Sequence, residues 1–258
     1  MPCASIHAVK LYADLEGAGP RIVLVHGFTQ TRRCWGAEVN DLAADHQVIR
    51  VDAPGHGRSH AVGASLAMGA QLIAHEGGEA TYLGYSMGAR FCLQLALDHP
   101  SLVRRLVLIS GTAGLEDPAQ RAERQERDGR TARRIEAEGV DQFLEWWLSQ
   151  PLFAGLPPER AFRAERMENT VAGLVSSLEC AGTGAQDPSW SRLAGLTMPV
   201  LVLAGALDPK FAALAERLAG EIGTNATVTL VPEAGHAAHL EQPAAFRSIL
   251  RAWLAEHP

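Results

Sequence analysis

Basic residues are too scarce in this sequence to give the protein a strongly positive face. Its 258 residues include 23 lysines and arginines against 29 aspartates and glutamates, so the formal net charge is −6. Proteins that bind nucleic acids or anionic membranes usually carry a basic patch, and we therefore expect neither kind of partner. Lysine itself occurs only at Lys10 and Lys210. Given this bias, an arginine at any single position is not informative by its type alone.

Cysteine is also sparse and irregularly spaced. The four cysteines, Cys3, Cys34, Cys92 and Cys180, form none of the close pairs that are typical of zinc sites and disulfide frameworks. We predict reduced thiols in a cytoplasmic protein that holds no metal.

Long hydrophobic runs are absent. No uncharged apolar stretch approaches the roughly 20 residues that span a bilayer. Residues 1–17 lack the basic, apolar and small-residue order of a signal peptide. We expect a soluble protein without a secretion signal or a membrane partner.

Short apolar runs are what the sequence has instead. Six of them are rich in β-branched residues, and most end in glycine, aspartate or proline: 21–27, 47–55, 80–86, 104–111, 198–205 and 226–235. Their apolarity is continuous rather than alternating, which indicates strands buried on both faces of a parallel sheet. Helical patterns lie between them, at about 34–44, 64–76, 87–99, 210–220 and 243–256. This order predicts an α/β protein with a doubly wound, mostly parallel sheet.

The alternation of strands and helices is interrupted once. Almost ninety residues after Ser110 contain no convincing strand, and their composition is helical. Because a structureless loop of that length is implausible in a compact domain, we predict an inserted helical cap over the carboxyl edge of the sheet. The predicted core comprises residues 1–111 and 191–258, and the predicted cap residues 112–190.

The stretch Gly84-Tyr85-Ser86-Met87-Gly88 places a serine between two glycines, with a strand before it and a helix after it. A sharp strand-to-helix turn needs glycines so that neighbouring chains can approach, and it leaves the central serine exposed on a strained backbone. A helix start without chemistry would also fit these residues. Partners elsewhere in the chain are needed to favour a nucleophile.

Two such partners follow in the required order. A serine hydroxyl needs a base to take its proton, and that base needs an acid to fix its tautomer. Asp208 and His236 each follow a predicted strand, at the same sheet edge as Ser86. Separately, Asp208 could be a helix cap and His236 an ordinary loop residue. Together they predict a Ser86–His236–Asp208 catalytic triad.

The loop after the first apolar run completes the predicted chemistry. Gly27 there allows backbone amides to turn inward, so the amides of Phe28 and Met87 are the predicted oxyanion-hole donors. His26 is interpreted as a structural residue of this loop. The glycine-rich turn 52–59 has neither a phosphate-binding nor a dinucleotide-binding pattern, so we predict no cofactor. His236 and His239 have helical spacing but no further metal-ligand pattern.

These motifs resemble the α/β-hydrolase superfamily from about residue 6 to 256. The resemblance rests on the HGF, D-x-P-G-H-G-x-S and G-Y-S-M-G stretches together with Asp208 and His236. It implies an α/β-hydrolase fold and a serine nucleophile. Aspartate-nucleophile reactions of that superfamily are disfavoured, because position 86 is serine.

Four further stretches look like the 2-succinyl-6-hydroxy-2,4-cyclohexadiene-1-carboxylate synthase family of menaquinone biosynthesis: GYSMGAR, AGALDPKF, AGHAAHLEQP and ECAGTGAQDPSW. The resemblance implies a small substrate with several carboxylates and the elimination of pyruvate. Arg90, one turn after the serine, suits carboxylate binding, because guanidinium groups bind carboxylates in two-point geometry. Tyr85 either contacts the substrate through its hydroxyl or simply packs against neighbouring side chains. By resemblance alone, the substrate-contacting positions of the cap are Arg124, Trp147 and Arg166, with Arg163 as a rival to Arg166.

Other interpretations remain open at this point. Six arginines between 121 and 134 also fit a solvated helix face with pairs such as Glu123–Arg127 and Glu126–Arg130. Trp146 and Trp147 could anchor the cap instead of lining a pocket. The alternative functions are a serine carboxylesterase or C–C bond hydrolase and, from another class, a non-catalytic ligand receptor. The sequence does not specify an oligomeric state.

Overall fold

The computed structural model describes residues 9–258, and Cys3 therefore lies outside the described residues. Its seven-stranded sheet has the order β1-β3-β2-β4-β5-β6-β7. The strands are β1 (Ala13–Glu16), β2 (Arg21–Val25), β3 (Gln47–Val51), β4 (Ala80–Tyr85), β5 (Val103–Ile109), β6 (Val200–Gly205) and β7 (Ala226–Val231). All six predicted strands are confirmed. The seventh, β1, was not predicted, and it pairs antiparallel with β3 at the sheet edge.

Both faces of the sheet are covered, which explains the continuous apolar runs. Successive residues of β2 point to opposite sides: Val23 and Val25 belong to one buried cluster, and Ile22 and Leu24 to the other. The first face packs against α2 (Leu66–Gly77), α3 (Met87–Asp98) and α7 (Pro209–Ile222). The second face packs against α1 (Ala37–Leu42), α8 (Ala238–Glu241) and α9 (Pro243–Glu256).

The helix predicted at about 34–44 is wrong in its start. A short 3₁₀ helix occupies Arg32–Trp35, and α1 begins only after Gly36, whose φ of 58° interrupts the helical backbone. The other four predicted helices agree with the structure to within about two residues at each end. None of the helices in residues 9–258 is long and apolar enough to cross a membrane.

Helices alone fill the segment between β5 and β6. The longest is α4 (Pro118–Leu148), which begins at the cap residue Asp117 and is kinked at Gly139, where φ is 73°. It is followed by α5 (Arg163–Arg166) and α6 (Val171–Ala181). Helices α4 and α6 share a small core of their own, formed by Ala132, Ile135, Phe143, Leu174 and Leu178. That core also contacts Phe28, which lies on the loop after β2.

The order of the strands determines which edge of the sheet has a crevice. After β3 the chain crosses to β4, on the other side of β2, so the strand order reverses at β2. Such a reversal opens a crevice at the carboxyl ends of the neighbouring parallel strands. The loop that carries Phe28 leaves β2 there, and Ser86 follows β4 at the same edge.

Candidate active site

Ser86 occupies a strained turn between β4 and α3. Its backbone has φ 52° and ψ −106°, a conformation that side-chain-bearing residues rarely adopt. Close packing explains the flanking glycines. A Cβ on Gly84 would lie 2.3 Å from the carbonyl oxygen of Gly88, and a Cβ on Gly88 would lie 1.9 Å from that of Val25. The two glycines therefore permit the approach of three chain segments that holds the serine in this conformation.

The three predicted triad residues form one chain of hydrogen bonds. The Ser86 hydroxyl lies 3.1 Å from Nε2 of His236, and Nδ1 of His236 lies 3.2 Å from Oδ2 of Asp208. The other carboxylate oxygen of Asp208 accepts a hydrogen bond from the amide of Phe211 at 3.1 Å. Burial raises the pKa of Asp208, but these hydrogen bonds outweigh it and hold that pKa below its usual value. The carboxylate is thus charged at neutral pH and is able to accept a hydrogen bond from Nδ1 of the imidazole.

The backbone around His236 is held by groups that the sequence analysis did not identify. The Ser110 hydroxyl donates to the carbonyl of His236 at 2.8 Å. Glu241, which is buried, accepts from the amides of Gly235 and Ala237 at 2.6 and 2.9 Å. One carboxylate therefore fixes the residues on both sides of the histidine. Glu241 lies within the AGHAAHLEQP stretch, but nothing in its spacing signals this contact.

One predicted oxyanion donor, Met87, directly follows the serine, and the other, Phe28, lies on the loop after β2. Met87 is the first residue of α3, where helical amides lack intrahelical acceptors. In residues 9–258, the backbone amides of Phe28 and Met87 both lack a protein acceptor. Free amides at this position suit a developing negative charge on a substrate oxygen.

Two buried histidines support the loop that carries Phe28. The amide of Ala53 donates to Nε2 of His26 at 3.0 Å, and the amide of Thr29 donates to Nε2 of His56 at 3.3 Å. Burial lowers the pKa of His26 to about 4 and that of His56 to about 3. Both rings are therefore neutral acceptors at pH 7, which agrees with the structural role predicted for His26.

A cavity of about 540 Å³ lies over Ser86 and His236. Its lining is strongly cationic for an acidic protein. Six cationic side chains face it against one carboxylate, that of Asp128; the six are Arg90, Arg124, Arg127, Arg130, Arg134 and Lys210. Such a lining suits a ligand with more than one negative charge.

Arg90 is the most buried of the predicted carboxylate-binding arginines that line this cavity. Its Nη1 donates to the carbonyl of Ala181 at 2.8 Å and to the side chain of Gln186 at 3.3 Å. In the described part of the chain it makes no ion pair. Burial, followed by the charge of Arg124, lowers the pKa of Arg90 to about 10, while Asp128 opposes the shift.

The arginines of α4 show both predicted arrangements, since they form ion pairs along the helix and also line the cavity. Arg124 pairs with Asp128 at 2.8 Å, and Arg127 pairs with the exposed Glu123 at 3.5 Å. The predicted Glu126–Arg130 pair also occurs, at 3.8 Å. All three arginines nevertheless line the cavity. This part of α4 therefore borders both the solvent and the cavity.

Both neighbouring tryptophans line the cavity. Trp147 packs edge-on against Phe28, with ring centroids 5.4 Å apart, and stacks on Phe143. Its Nε1 is buried and has no hydrogen-bond partner in the described residues. Trp146 lies beneath the guanidinium of Arg134, which is 4.1 Å from the ring centroid. Trp147 therefore packs α4 against Phe28, and both tryptophans form part of the cavity wall.

Tyr85 and Arg166 are buried and are not among the residues that line the cavity. For Tyr85 this agrees with packing, one of its two predicted roles, whereas for Arg166 it differs from the substrate contact that the resemblance implied. Tyr85 packs against His236 and His239, at centroid distances of 5.5 and 4.4 Å. Arg166 is 1% exposed and donates to the carbonyl of Ala161 at 2.7 Å and to the hydroxyl of Thr29. Its rival Arg163 lies at the surface and pairs with Asp141.

A comparison with protein families decides the broad identity. The model of a family described as "Alpha/beta hydrolase family" matches residues 22–249. The chain belongs to this alpha/beta hydrolase family. The matched range includes the helical segment between β5 and β6.

Relatives of this alpha/beta hydrolase are named enzymes. A 2-succinyl-6-hydroxy-2,4-cyclohexadiene-1-carboxylate synthase of Escherichia coli O1:K1 / APEC is 33% identical over 87% of this chain and 90% of its own. A Bacillus subtilis (strain 168) protein that bears the same name provisionally is 32% identical over 92% of this chain and 91% of its own. The protein is accordingly an enzyme and not a non-catalytic receptor.

Solved structures give the same fold. MenH from S. aureus superposes with a TM-score of 0.87 at 27% identity, covering 95% of this chain and 98% of that one. A thermophilic esterase from Thermogutta terrifontis, with malate bound, superposes with a TM-score of 0.84 at 25% identity, covering 96% and 94%. The fold is thus shared by proteins with different names, and the pocket has to discriminate between their reactions.

Proposed function

We propose that this alpha/beta hydrolase is a lyase that eliminates pyruvate from a cyclohexene substrate with several carboxylates, as a step of menaquinone biosynthesis. One observation carries the proposal: the Ser86–His236–Asp208 hydrogen bonds open onto a cavity with six cationic side chains and one carboxylate. A neutral ester would gain little from that lining. A ligand with two or three carboxylates would offset the repulsion among the cations of the cavity lining.

In the proposed mechanism Ser86 acts as a base. His236, oriented by Asp208, accepts the hydroxyl proton, and the serine oxygen removes a proton from a ring carbon of the substrate. The electron pair of that C–H bond forms a new double bond, and the bond to the pyruvyl oxygen breaks. The leaving group takes the electron pair of that bond and departs as the enolate of pyruvate, and the proton held by His236 returns to its carbon to give pyruvate. No acyl-enzyme forms.

The charge that develops on the substrate has two supports in this mechanism. The free amides of Phe28 and Met87 are available to an oxygen of the substrate carboxylate next to the reacting carbon. Arg90 supplies a fixed positive charge from the same helix as Met87. Tyr85 and Arg166 are proposed as supports behind the triad and the Phe28 loop, because both lie outside the cavity lining.

A serine esterase is the second candidate, and a specific comparison favours it. The structurally similar esterase has malate bound, so a carboxylate ligand by itself does not distinguish a lyase from an ester hydrolase. In the esterase reaction Ser86 would attack a carbonyl carbon, and water would release the acyl group. The two reactions therefore differ in whether Ser86 forms a covalent bond to the substrate.

The test is a turnover assay of the purified protein on two substrates. One is the succinylated, pyruvyl-bearing precursor of the synthase reaction, with pyruvate release followed by a coupled lactate dehydrogenase assay. The other is a short p-nitrophenyl ester. We expect fast pyruvate release and weak esterase activity, and we expect Ser86→Ala to abolish both.

Rapid quenching followed by mass spectrometry of the protein separates the two roles of Ser86. The lyase mechanism predicts unmodified protein during turnover of the precursor. Robust ester cleavage without pyruvate release, or a covalent adduct on Ser86 during pyruvate release, would contradict the proposal. Full pyruvate release by Ser86→Ala would also contradict it.

A further inference from the structure

Lys210 is a cation of the cavity wall to which none of the comparisons assigns a role. It lies two residues after Asp208, in the first turn of α7, and its side chain lines the cavity next to Phe211. Its Nζ is 5.3 Å from the centre of the Phe211 ring. No ion pair of Lys210 occurs in the described residues. It is the cation that the core, rather than the cap, contributes near the acid of the triad.

The cap places two further cations close to Lys210. Burial, followed by the charge of Arg124, lowers the pKa of Lys210; Asp208 opposes this shift, and Arg127 adds to it. Arg124 and Arg127 already have carboxylate neighbours, Asp128 and Glu123. Lys210 differs from these two arginines because no carboxylate pairs with it in the described residues.

Arg124 connects this region to the serine. Its charge lowers the pKa of Arg90 as well as that of Lys210, so it lies within electrostatic range of both. The cavity thus presents cations toward two regions, with Arg90 on the helix of the nucleophile and Lys210 on the helix that follows the acid. A ligand with separated carboxylates can reach both regions, whereas a monocarboxylate can occupy only one.

We propose that Lys210 is a specificity-determining residue that binds one carboxylate of a di- or tricarboxylate ligand, while Arg90 and Arg124 bind another. This inference rests on the proposed function, which it deepens by assigning the second carboxylate of that substrate to the core side of the cavity. An ammonium group on a flexible stem suits a carboxylate whose position varies, because it provides three donors without the fixed fork of arginine.

The sequence offers an unusual control, because Lys10 and Lys210 are its only lysines. Lys10 is exposed, so it reports the reactivity of an ordinary lysine in the same sample. The wild-type protein is treated with limiting acetylating reagent, and acetylation at each lysine is followed by peptide mass spectrometry. Succinate is the dicarboxylate probe, and its monomethyl ester is the matched monocarboxylate.

We expect saturating succinate to slow the acetylation of Lys210 at least about fivefold and to leave Lys10 unchanged. The monomethyl ester should protect Lys210 much less. Equal rates at Lys210 with and without succinate would overturn the proposal. The readout does not depend on turnover, so this result and a failure of the proposed pyruvate elimination can be told apart.

Substitutions then measure the contribution to binding. Hydrogen bonds to charged groups contribute about 1.5–3 kcal/mol, so Lys210→Met should raise the succinate inhibition constant and the KM for the carboxylate substrate about 10- to 100-fold. Lys210→Arg keeps the charge and should recover most of that loss. Lys10→Met is the control and should change neither constant. A fall in kcat with unchanged KM in Lys210→Met would mean that the residue supports Asp208 and does not bind the ligand.

Discussion

The cavity has two walls: a core wall, which carries Ser86 and His236, and a cap wall, which is formed by the residues of α4. The polar groups of these two walls are held in different ways. On the core wall, Asp208 and Ser110 contact His236 from distant parts of the sequence, and Glu241 holds the loop of His236 from within the same segment. On the cap wall, Arg124, Arg127 and Arg130 are paired with carboxylates one turn away on the same helix. The core wall depends on tertiary geometry, and the cap wall depends on the charge of one helix.

This difference predicts that the two walls differ in how much displacement of their side chains they tolerate. Proton transfer requires atoms within hydrogen-bond distance, so small displacements on the core wall should affect kcat strongly. Attraction of a carboxylate acts over a longer distance and tolerates movement of an exposed arginine.

Replacing Asp208 tests the core wall and should have the largest effect. Asp208→Asn keeps the size of the side chain but removes the charge that stabilises the protonated imidazole and sets its tautomer. By analogy with a serine protease triad, we expect kcat to fall about 10⁴-fold, with a much smaller change in KM. The measurement is steady-state kinetics on the carboxylate substrate.

Glu216→Gln is the matched control for Asp208→Asn. Glu216 is exposed on the same helix, and its neutralisation should leave kcat unchanged. A fall of less than about tenfold in Asp208→Asn would show that the tautomer of His236 is fixed by other groups, against the expectation for a triad.

Replacing Arg90 tests both walls, because Arg90 belongs to α3 on the core side and is within electrostatic range of Arg124 on α4. Its guanidinium is buried without a carboxylate partner in the described residues, and burial lowers its pKa. We expect Arg90→Met to lower kcat/KM about 10- to 100-fold, because a charge-assisted contact is lost. Arg90→Met should also remove the free-energy cost of burying the charged guanidinium. Each kcal/mol removed should raise the melting temperature by about 2–4 °C.

Kinetics and thermal denaturation of the unliganded protein measure these two effects separately. Arg104→Met is the control, since Arg104 is exposed at the start of β5 and pairs with the exposed Glu79. A melting temperature that falls in Arg90→Met would show that its hydrogen bonds to Ala181 and Gln186 outweigh the cost of burying the charge.

The sequence predicted the core wall better than the cap wall, for physical reasons. Buried strands are encoded by local apolar runs, and the triad residues follow strand ends, which meet at one edge of a parallel sheet. Strand β1 (Ala13–Glu16) was missed because it is short, partly exposed and contains two acidic residues. Its antiparallel pairing with β3 depends on a distant segment, which local periodicity does not report.

The cap wall required the structure, because the direction of a helical side chain depends on what the helix packs against. The resemblance indicated Arg124 and Trp147, and both line the cavity. It also indicated Arg166, which is buried behind the wall. Lys210 was not predicted, although it stands two residues from Asp208, because its position in the cavity depends on the approach of α4 from the cap.

Replacing Arg130 tests the cap wall alone and should have the smallest effect. Its side chain lines the cavity but is 58% exposed and pairs loosely with Glu126. Arg130→Gln should therefore lower kcat/KM by only about two- to threefold, because exposed charges contribute little and are screened by salt. The difference should vanish at about 1 M salt, where the Debye length is about 3 Å. Arg133→Gln, an exposed neighbour on the same helix that is not among the lining residues, should show no change at either salt concentration. An effect of Arg130→Gln that persisted at high salt would place this arginine in direct contact with the ligand and extend the binding site further along α4.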